Sequence, residues 1–586
     1  MSPRLDYEHD RPKPKFGHLP LSTSGPLECA LKGTVLLNHS YFNKGSAFTK
    51  EERRDFELSG LLPQSIQTLD QQVQRAYEQY SARPDDLAKN TFLTSMKEQN
   101  EVLYFKMFSV VYTPTEGDAI ENFSRLFRRP QGVFLNVHDC DRVHHDLSLW
   151  GMPDDIDYIV VTGATFHPRA RSRLRYQLTK LDGEEILGIG DQGCGGILIS
   201  VAKLALMTLC AGIHPNRVLP VVLDCGTDNE TLLNDPLYLG LREKRVRARR
   251  LLDRWRPDIP CFNDDVQGTG CVTLAAIFAG LHVSKTKLGD LRMVVFGGGT
   301  AGVGIADQVR DAIATERGIT KEEAARQIWL IDKPGLLTNQ VERLSDAQKT
   351  YARSEDWTDK ETDLLGVVKE VKPNVLVGTS TVPKAFTEEI VREMAAHVER
   401  PIILPLSNPT RLHEAAPANL LSWTNGKALV ATGSPFKPVK GPWGPDGKEV
   451  QIEVAECNNS VVFPGIGLGS VLCRARLVTD KMLIAAVNGV VGHSPALAND
   501  TAPLLPGVDK VREVSVRVAR EVIQAAVEEG VATEEGIPKD EKELDGWIME
   551  QMWDPVYRPL QYVEAHSASR QAKGELRVVG SLPQRK

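Results

Sequence analysis

The 586-residue chain is short of the features that mark exported, membrane-spanning or nucleic-acid-binding proteins. Its nine cysteines are odd in number, and no two form a C-x-x-C pair. Cys210, Cys225 and Cys271 sit inside apolar runs, where cysteine acts as a small hydrophobe, so the usage points to a reducing compartment. No run of about 18 uninterrupted apolar residues occurs, which argues against a spanning helix. A formal charge of -7 is modest for this length and asks for neither nucleic acid nor a membrane surface as partner. The opening MSPRLDYEHDRPKPKFGHLPL carries Asp6, Glu8 and Asp10, and it lacks both the apolar core of a signal peptide and the Arg-rich, acid-poor helix of a transit segment. The expected location is therefore cytoplasmic, with the mitochondrion left open. Internal repeats and low-complexity tracts are also missing.

What is present exceeds one hydrophobic core, and the texture changes along the chain. Residues 1–28 are rich in Pro and charge and read as a flexible segment. From Thr49 to Phe108 charged and apolar residues mix at helical spacing, so 29–130 is expected to be a helical region. From Tyr158 short apolar runs end at Gly or Asp: YIVVTGA, EEILGIGDQG and VLPVVLDCG, with a long apolar helix from Ile197 to Ala211 between the last two. A second series of strands starts at MVVF and continues through IWLID, NVLVGTS, PIILPLSNPT and ALVATGSPF. Strands alternating with helices predict an α/β fold: a doubly wound Rossmann-type sheet and a second parallel sheet, with ligands at the carboxyl edges. After Phe463 helices return, and 536–586 is expected to be a helix and a polar tail.

In MVVFGGGTAGVGIADQV a buried strand runs into Gly297, Gly299 and Gly302 at G-x-G-x-x-G spacing, and a helix follows. The first glycine allows the tight turn, the second admits a pyrophosphate to the backbone, and the third lets helix and strand pack, with the helix N-terminus facing the phosphates. An acidic residue should end the next strand to grip the ribose, and Asp332 stands there. TERGITKEEAARQ lengthens the intervening helix and turn. Asp332 repels a 2′-phosphate, whereas Lys333 attracts one, so NAD is favoured and NADP stays open.

The other sheet carries candidate chemistry. Lys203 is the single charge in ILISVAKLALMTLCA; it is either a desolvated general base or a lysine whose head reaches water at the helix edge. Tyr112 precedes a helix start in which Thr115 and Asp118 resemble a capping box, where a tyrosine ordinarily just packs. Asp264 and Asp265 in FNDDVQG suit a hard divalent cation or a helix cap equally well. Asn408 in PLSNPT, and Asn458 and Asn459 in ECNNSVVFPG, sit at loop positions where ligands gather and where turn residues are common.

Taken in order, GTVLLNHSYFNKGSAFT, YTPTEG, EEILGIGDQGCGG, VAKL, LPVVLDCGTDNE, FNDDVQGT, FGGGTAG, LSNPT and NNSVVFPG resemble malic enzyme from about Gly33 to Leu560. The resemblance implies oxidation of L-malate with NAD or NADP, and decarboxylation to pyruvate and CO2 with Mg2+ or Mn2+ acting as a Lewis acid. It implies that Lys203 takes the hydroxyl proton, that Tyr112 protonates the enolate, that Asp265 with Asp264 belongs to the metal site, and that Asn408, Asn459 and neighbouring Asn458 bind malate. It also implies a homodimer or homotetramer, and a division into 131–264 with 459–535 as the malate and metal domain and 265–458 as the dinucleotide domain.

One stretch departs from the family. Between GLREKRVR and ARRLLDRWRP, at Arg247 and Ala248, the family has several tens of further residues that include a strand ending in F-E-D-F; their Glu and Asp supply two of the metal's three protein carboxylates. The flanks continue without drift, which looks like a clean excision. Its loss should cost the metal site and remove a strand, leaving edges to be covered or re-paired. Glu185 stands where many members carry Arg, and Leu198 where Gly is frequent. The competing readings are an active oxidative decarboxylase, an inactive dinucleotide-binding isoform or subunit, and a malolactic conversion on the same scaffold.

Overall fold

The computed structural model of the chain describes residues 25–108, 116–139, 141–150, 156–163, 177–181, 190–245, 256–357, 359–408 and 410–564. These fall into two compact units, one of residues 1–128, 212–215 and 549–586, the other of 129–211 and 216–548.

The first unit is mainly helical, as the mixed pattern predicts. Two of its helices start on capping boxes: Thr49 and Glu52 form one for Lys50–Asp55, and Thr68 and Gln71 form one for Leu69–Ser81. Two further helices, Asp86–Gln99 and Glu101–Phe108, complete the run. The unexpected element is a two-stranded parallel sheet of β1 (Leu27–Cys29) and β16 (Leu560–Tyr562). It brings a stretch read as flexible against one read as a tail, over a core of Leu36, Phe42, Phe48 and Phe56. Three-residue strands carry too little periodicity to be read in isolation.

The second unit holds both predicted sheets. The first comprises β2 (Val133–Asn136), β3 (Tyr158–Thr162), β4 (Gln177–Leu181), β5 (Val218–Asp224) and β6 (Cys261–Asn263) in the spatial order β2-β5-β3-β4-β6. Every pairing is parallel. Its core is built from Val133, Leu135, Ile159, Leu219 and Val221. One strand differs from expectation: β4 lies upstream of EEILGIG, whose residues 182–189 lie outside those described, as does the junction at Arg247 and Ala248. β4 pairs with β3 on one side and β6 on the other, so β6 ends the sheet order among the described residues.

The second sheet comprises β7 (Met293–Phe296), β8 (Ile328–Asp332), β9 (Gly335–Leu336), β10 (Val375–Gly378), β11 (Ile402–Pro405), β12 (Leu429–Thr432) and β15 (Ala455–Glu456), in the order β15-β12-β11-β10-β7-β8-β9. It is parallel except for β9. A hairpin of β13 (Val439–Gly441) and β14 (Val450–Ile452) stands beside it. The chain leaves β7 toward β8 on one side and later fills β10, β11 and β12 on the other, so the strand order reverses at β7, where ligands of doubly wound sheets bind. The lengthening before Asp332 is a second short helix, Lys321–Ala325, after a left-handed cap at Gly318 closes Thr300–Arg317.

Two helical stretches, Gly193–Ala211 and Asp264–Ser284, are long and apolar enough to cross a bilayer by composition, but each is 72% buried inside the fold. They are core helices, apolar because protein surrounds them. The eight described cysteines are free thiols. Burial pushes the Cys194 and Cys210 thiols up to about 12, so they serve packing rather than nucleophilic chemistry.

Candidate active site

The turn after β7 is built for a backbone-bound ligand. Gly297 has φ +121°, and a Cβ there would meet the Thr379 carbonyl carbon at 2.5 Å. A Cβ on Gly302 would strike the Gly297 carbonyl oxygen at 1.9 Å, so only glycine lets the helix approach the strand. Gly299 caps Thr300–Arg317 and faces open space, with nothing within 4 Å of its missing Cβ. That is the cradle a pyrophosphate would fill. Asp332 ends β8 as expected, with its Oδ2 bonded by Gln348 Nε2 at 3.1 Å. Gln348 also donates to the Gly298 carbonyl at 2.9 Å, tying the acidic residue to the glycine turn. The residues therefore fit NAD.

The turn after β6 carries side-chain chemistry. Asn263 Oδ1 caps it, accepting from the backbone N–H groups of Asp265 at 2.9 Å and Val266 at 3.3 Å. This single cap turns the chain sharply and delivers Asp264 inward, fully buried, onto Lys203 from the neighbouring helix. Lys203 Nζ donates to Asp264 Oδ2 at 2.5 Å and lies 4.8 Å from the Phe463 ring centroid. Of the two expectations for Lys203, the buried one holds: it is 9% exposed and meets a carboxylate instead of reaching water. Asn459 Nδ2 donates to the Asp264 backbone carbonyl at 3.0 Å and to Oδ2 at 3.3 Å, closing the third side.

The glycine-rich helix packs directly on this turn. A Cβ on Gly304 would lie 2.9 Å from the Val266 carbonyl oxygen, and one on Gly268 would lie 2.0 Å from Asp264 Oδ1. The helix that begins at the dinucleotide cradle thus packs at Gly304 on the turn that carries Asp264.

The remaining predicted residues are placed apart. Asn458 caps the following turn, accepting from Ser460 N at 2.9 Å and donating to Glu456 at 3.0 Å. Asn408 lies on the loop after β11, where its Oδ1 accepts from Ser434 Oγ at 2.5 Å. Tyr112, Thr115 and Glu185 lie outside the described residues. Leu198 is the second residue of the Ile197–Ala211 helix. Sequence reading missed Asp264 as the lysine's partner, because that pairing spans 61 residues; it missed Phe463, although that residue lies in NNSVVFPG, and Gln348, which carries no motif of its own.

A divalent metal is tested by the same geometry. Asp264 and Asp265 offer hard oxygen, and Asp264 Oδ1 is a buried atom with no hydrogen-bond partner among the described residues. Yet Oδ2 is taken by Lys203, and no three His, Cys, Asp or Glu side chains among the described residues converge to hold a metal. The described residues do not make up a complete divalent site.

A doubly wound sheet with this glycine turn, and a lysine–carboxylate pair beside it, defines an oxidoreductase of the dinucleotide-dependent class. Comparison with known proteins narrows it. The profile described as malic enzyme, NAD binding domain, matches residues 266–527, and that described as malic enzyme, N-terminal domain, matches 88–166 and 178–256. The chain is 45% identical to a mitochondrial NAD-dependent malic enzyme of Saccharomyces cerevisiae, over 92% of this chain and 85% of that one. It is 43% identical to NAD-dependent malic enzyme 3 of Bacillus subtilis, over 93% and 99%. The solved malic enzyme of Entamoeba histolytica shares the fold at TM-score 0.51 and 19% identity, over 90% of this chain and 93% of that one. The chain belongs to the malic enzyme family. The Bacillus alignment runs over 593 residues although 93% of this 586-residue chain is only about 545, so several tens of residues inside the match have no counterpart here.

Proposed function

We propose that the chain oxidises L-malate with NAD and decarboxylates the product to pyruvate and CO2, with turnover impaired where the family's further carboxylates are lacking. The observation that carries this reading is the buried Lys203–Asp264–Asn459 group packed against the dinucleotide turn. When bound, NAD supplies the hydride acceptor. In its neutral amine form Lys203 would take the malate hydroxyl proton as the hydride leaves for NAD, with Asp264 Oδ2, 2.5 Å away, orienting its Nζ. Asn459 holds Asp264 from the far side and fixes the direction of the pair. The Phe463 ring, its centroid 4.8 Å from Lys203 Nζ, lowers the local dielectric and so strengthens the contact with Asp264. Tyr112 is proposed to return a proton to the enolate, and Asn408 and Asn458 to contribute to malate binding.

NAD is favoured over NADP because Asp332 lies against Gly298, where a 2′-phosphate would meet its carboxylate. The relatives named above are described as NAD-dependent, which supports the choice. The proposed division remains 131–264 with 459–535 for malate and 265–458 for the dinucleotide, in a homodimer or homotetramer of the cytoplasm, with the mitochondrion as the alternative.

A second reading, an inactive dinucleotide-binding isoform or subunit, is favoured by one observation: no three ligating side chains converge near Asp264 among the described residues. One assay separates the two. Purified chain is mixed with L-malate, NAD or NADP, and Mn2+, and nicotinamide absorbance, pyruvate and lactate are followed. Metal-stimulated reduction with pyruvate supports the first reading; cofactor binding without turnover supports the second.

A further inference from the structure

Glu414 is fully buried, and among the described residues it forms no salt bridge. Burial lowers the pKa of the neighbouring His413 from the ordinary imidazole value, against the raising effect of Glu414. A carboxylate in such a place must be satisfied by hydrogen-bond donors, and four converge on it. Its Oε1 accepts from Ser380 N at 2.9 Å, from Ser380 Oγ at 2.9 Å and from Ser407 Oγ at 2.5 Å, while Oε2 accepts from Ser407 N at 3.4 Å. Ser407 Oγ in turn accepts from Thr381 N at 2.9 Å. Gly378 makes room, since a Cβ there would lie 2.5 Å from the Glu414 carboxyl carbon.

These donors belong to two loops at the carboxyl edge of the second sheet, one following β10 and the other following β11. The first loop is also bound to the glycine fingerprint: Thr379 Oγ1 donates to the Gly297 carbonyl at 3.0 Å, and a Cβ on Gly297 would sit 2.7 Å from Ser380 N. Thr381 has φ +57°, a conformation that costs a β-branched residue energy and persists only when its surroundings hold it. The second loop carries Asn408. One carboxylate therefore ties together the turn that approaches the pyrophosphate, a strained residue beside it, and the loop assigned to malate.

We propose that Glu414 is a positioning residue, fixing the loops after β10 and β11 so that the Gly297 turn is preformed for the dinucleotide. The inference rests on the NAD-binding reading above. Removing an acceptor from buried donors is costly, and here the donors would seek other partners by moving the loops.

The test is the dissociation constant for NAD, measured by calorimetry on the full chain, together with the thermal midpoint without ligand. Glu414→Gln preserves shape but sets an amide N–H against a backbone donor. It is expected to weaken NAD roughly tenfold in protein that remains folded. A purely structural role would lower the midpoint and leave the constant of the folded protein unchanged, and that result would overturn the proposal. If the Gln variant does not fold, Ser407→Ala takes its place, because it keeps the carboxylate and every backbone donor. A several-fold loss of NAD affinity is expected there, and undiminished affinity counts against the role. Failure of the unaltered chain to bind NAD would instead remove the functional reading itself, so the two failures are distinct.

Discussion

The turn after β7 and the turn after β6 both present polar groups at the carboxyl edge of a parallel strand, and they do so by opposite means. The first relies on backbone: Gly297, Gly299 and Gly302 clear space, and the helix Thr300–Arg317 supplies its unpaired N–H groups. The second relies on side chains brought from afar, Lys203 from one helix, Asp264 from the turn and Asn459 from nearly two hundred residues on. A backbone site is contained in one contiguous stretch and survives changes elsewhere. A side-chain site is only as complete as the segments that feed it. The absence of a three-ligand metal cluster among the described residues falls on the second kind, while the first keeps open space at Gly299 and a tie to Asp332 through Gln348.

That contrast can be broken most forcefully at Lys203. Replacing it with Ala should lower any malate oxidation by about 10²- to 10⁴-fold, the usual share of a general base, while NAD affinity stays put. Nicotinamide absorbance and calorimetry read the two quantities, and a variant that keeps its turnover would remove Lys203 from the chemistry. The reverse substitution lies in the other turn. Gly302→Val, driven into the Gly297 carbonyl, should cost about 2 kcal/mol of turn geometry and weaken NAD by some tens of fold. Equal binding would mean that the turn does not hold the cofactor.

A finer probe is Asp332→Ser, which removes the carboxylate beside Gly298. The ratio of NAD to NADP catalytic efficiency should fall by roughly tenfold. An unchanged ratio would assign the preference to another residue.

The smallest effect expected is on pH dependence. Burial lowers the His413 pKa from 6.5, so as pH falls below that value the unfolded chain takes up a proton that the folded chain does not. The stability this confers is complete above the ordinary imidazole value and declines as pH falls toward the depressed one. His413→Gln should flatten the thermal midpoint between pH 7.5 and pH 5 relative to the unaltered chain, and identical slopes would refute the assignment.

The same contrast explains what could be read before the structure. The strand MVVF, the glycine spacing and Asp332 lie in one stretch whose periodicity and turn chemistry agree, so fold and cradle were legible there. The long apolar helix Ile197–Ala211 was legible for the same reason. The partner of Lys203 was not, because two adjacent aspartates suit a metal, a cap or an ion pair equally, and only the sheet's geometry chooses. Glu414 was invisible, since a buried carboxylate held by two serine loops has no local signature. The strand Gln177–Leu181 was missed because QLTKL is short and carries no clear alternation, and it owes its place to neighbours on both sides.

On the proposed reading the chain keeps its cofactor turn while its metal-dependent chemistry is weakened. Calorimetric titration of the chain with NAD, paired with the Mn2+ dependence of nicotinamide reduction by L-malate on the same sample, tests it directly. Saturable NAD binding with weak Mn2+-stimulated reduction is the predicted result. Strong Mn2+-dependent turnover, or no NAD binding at all, would contradict it.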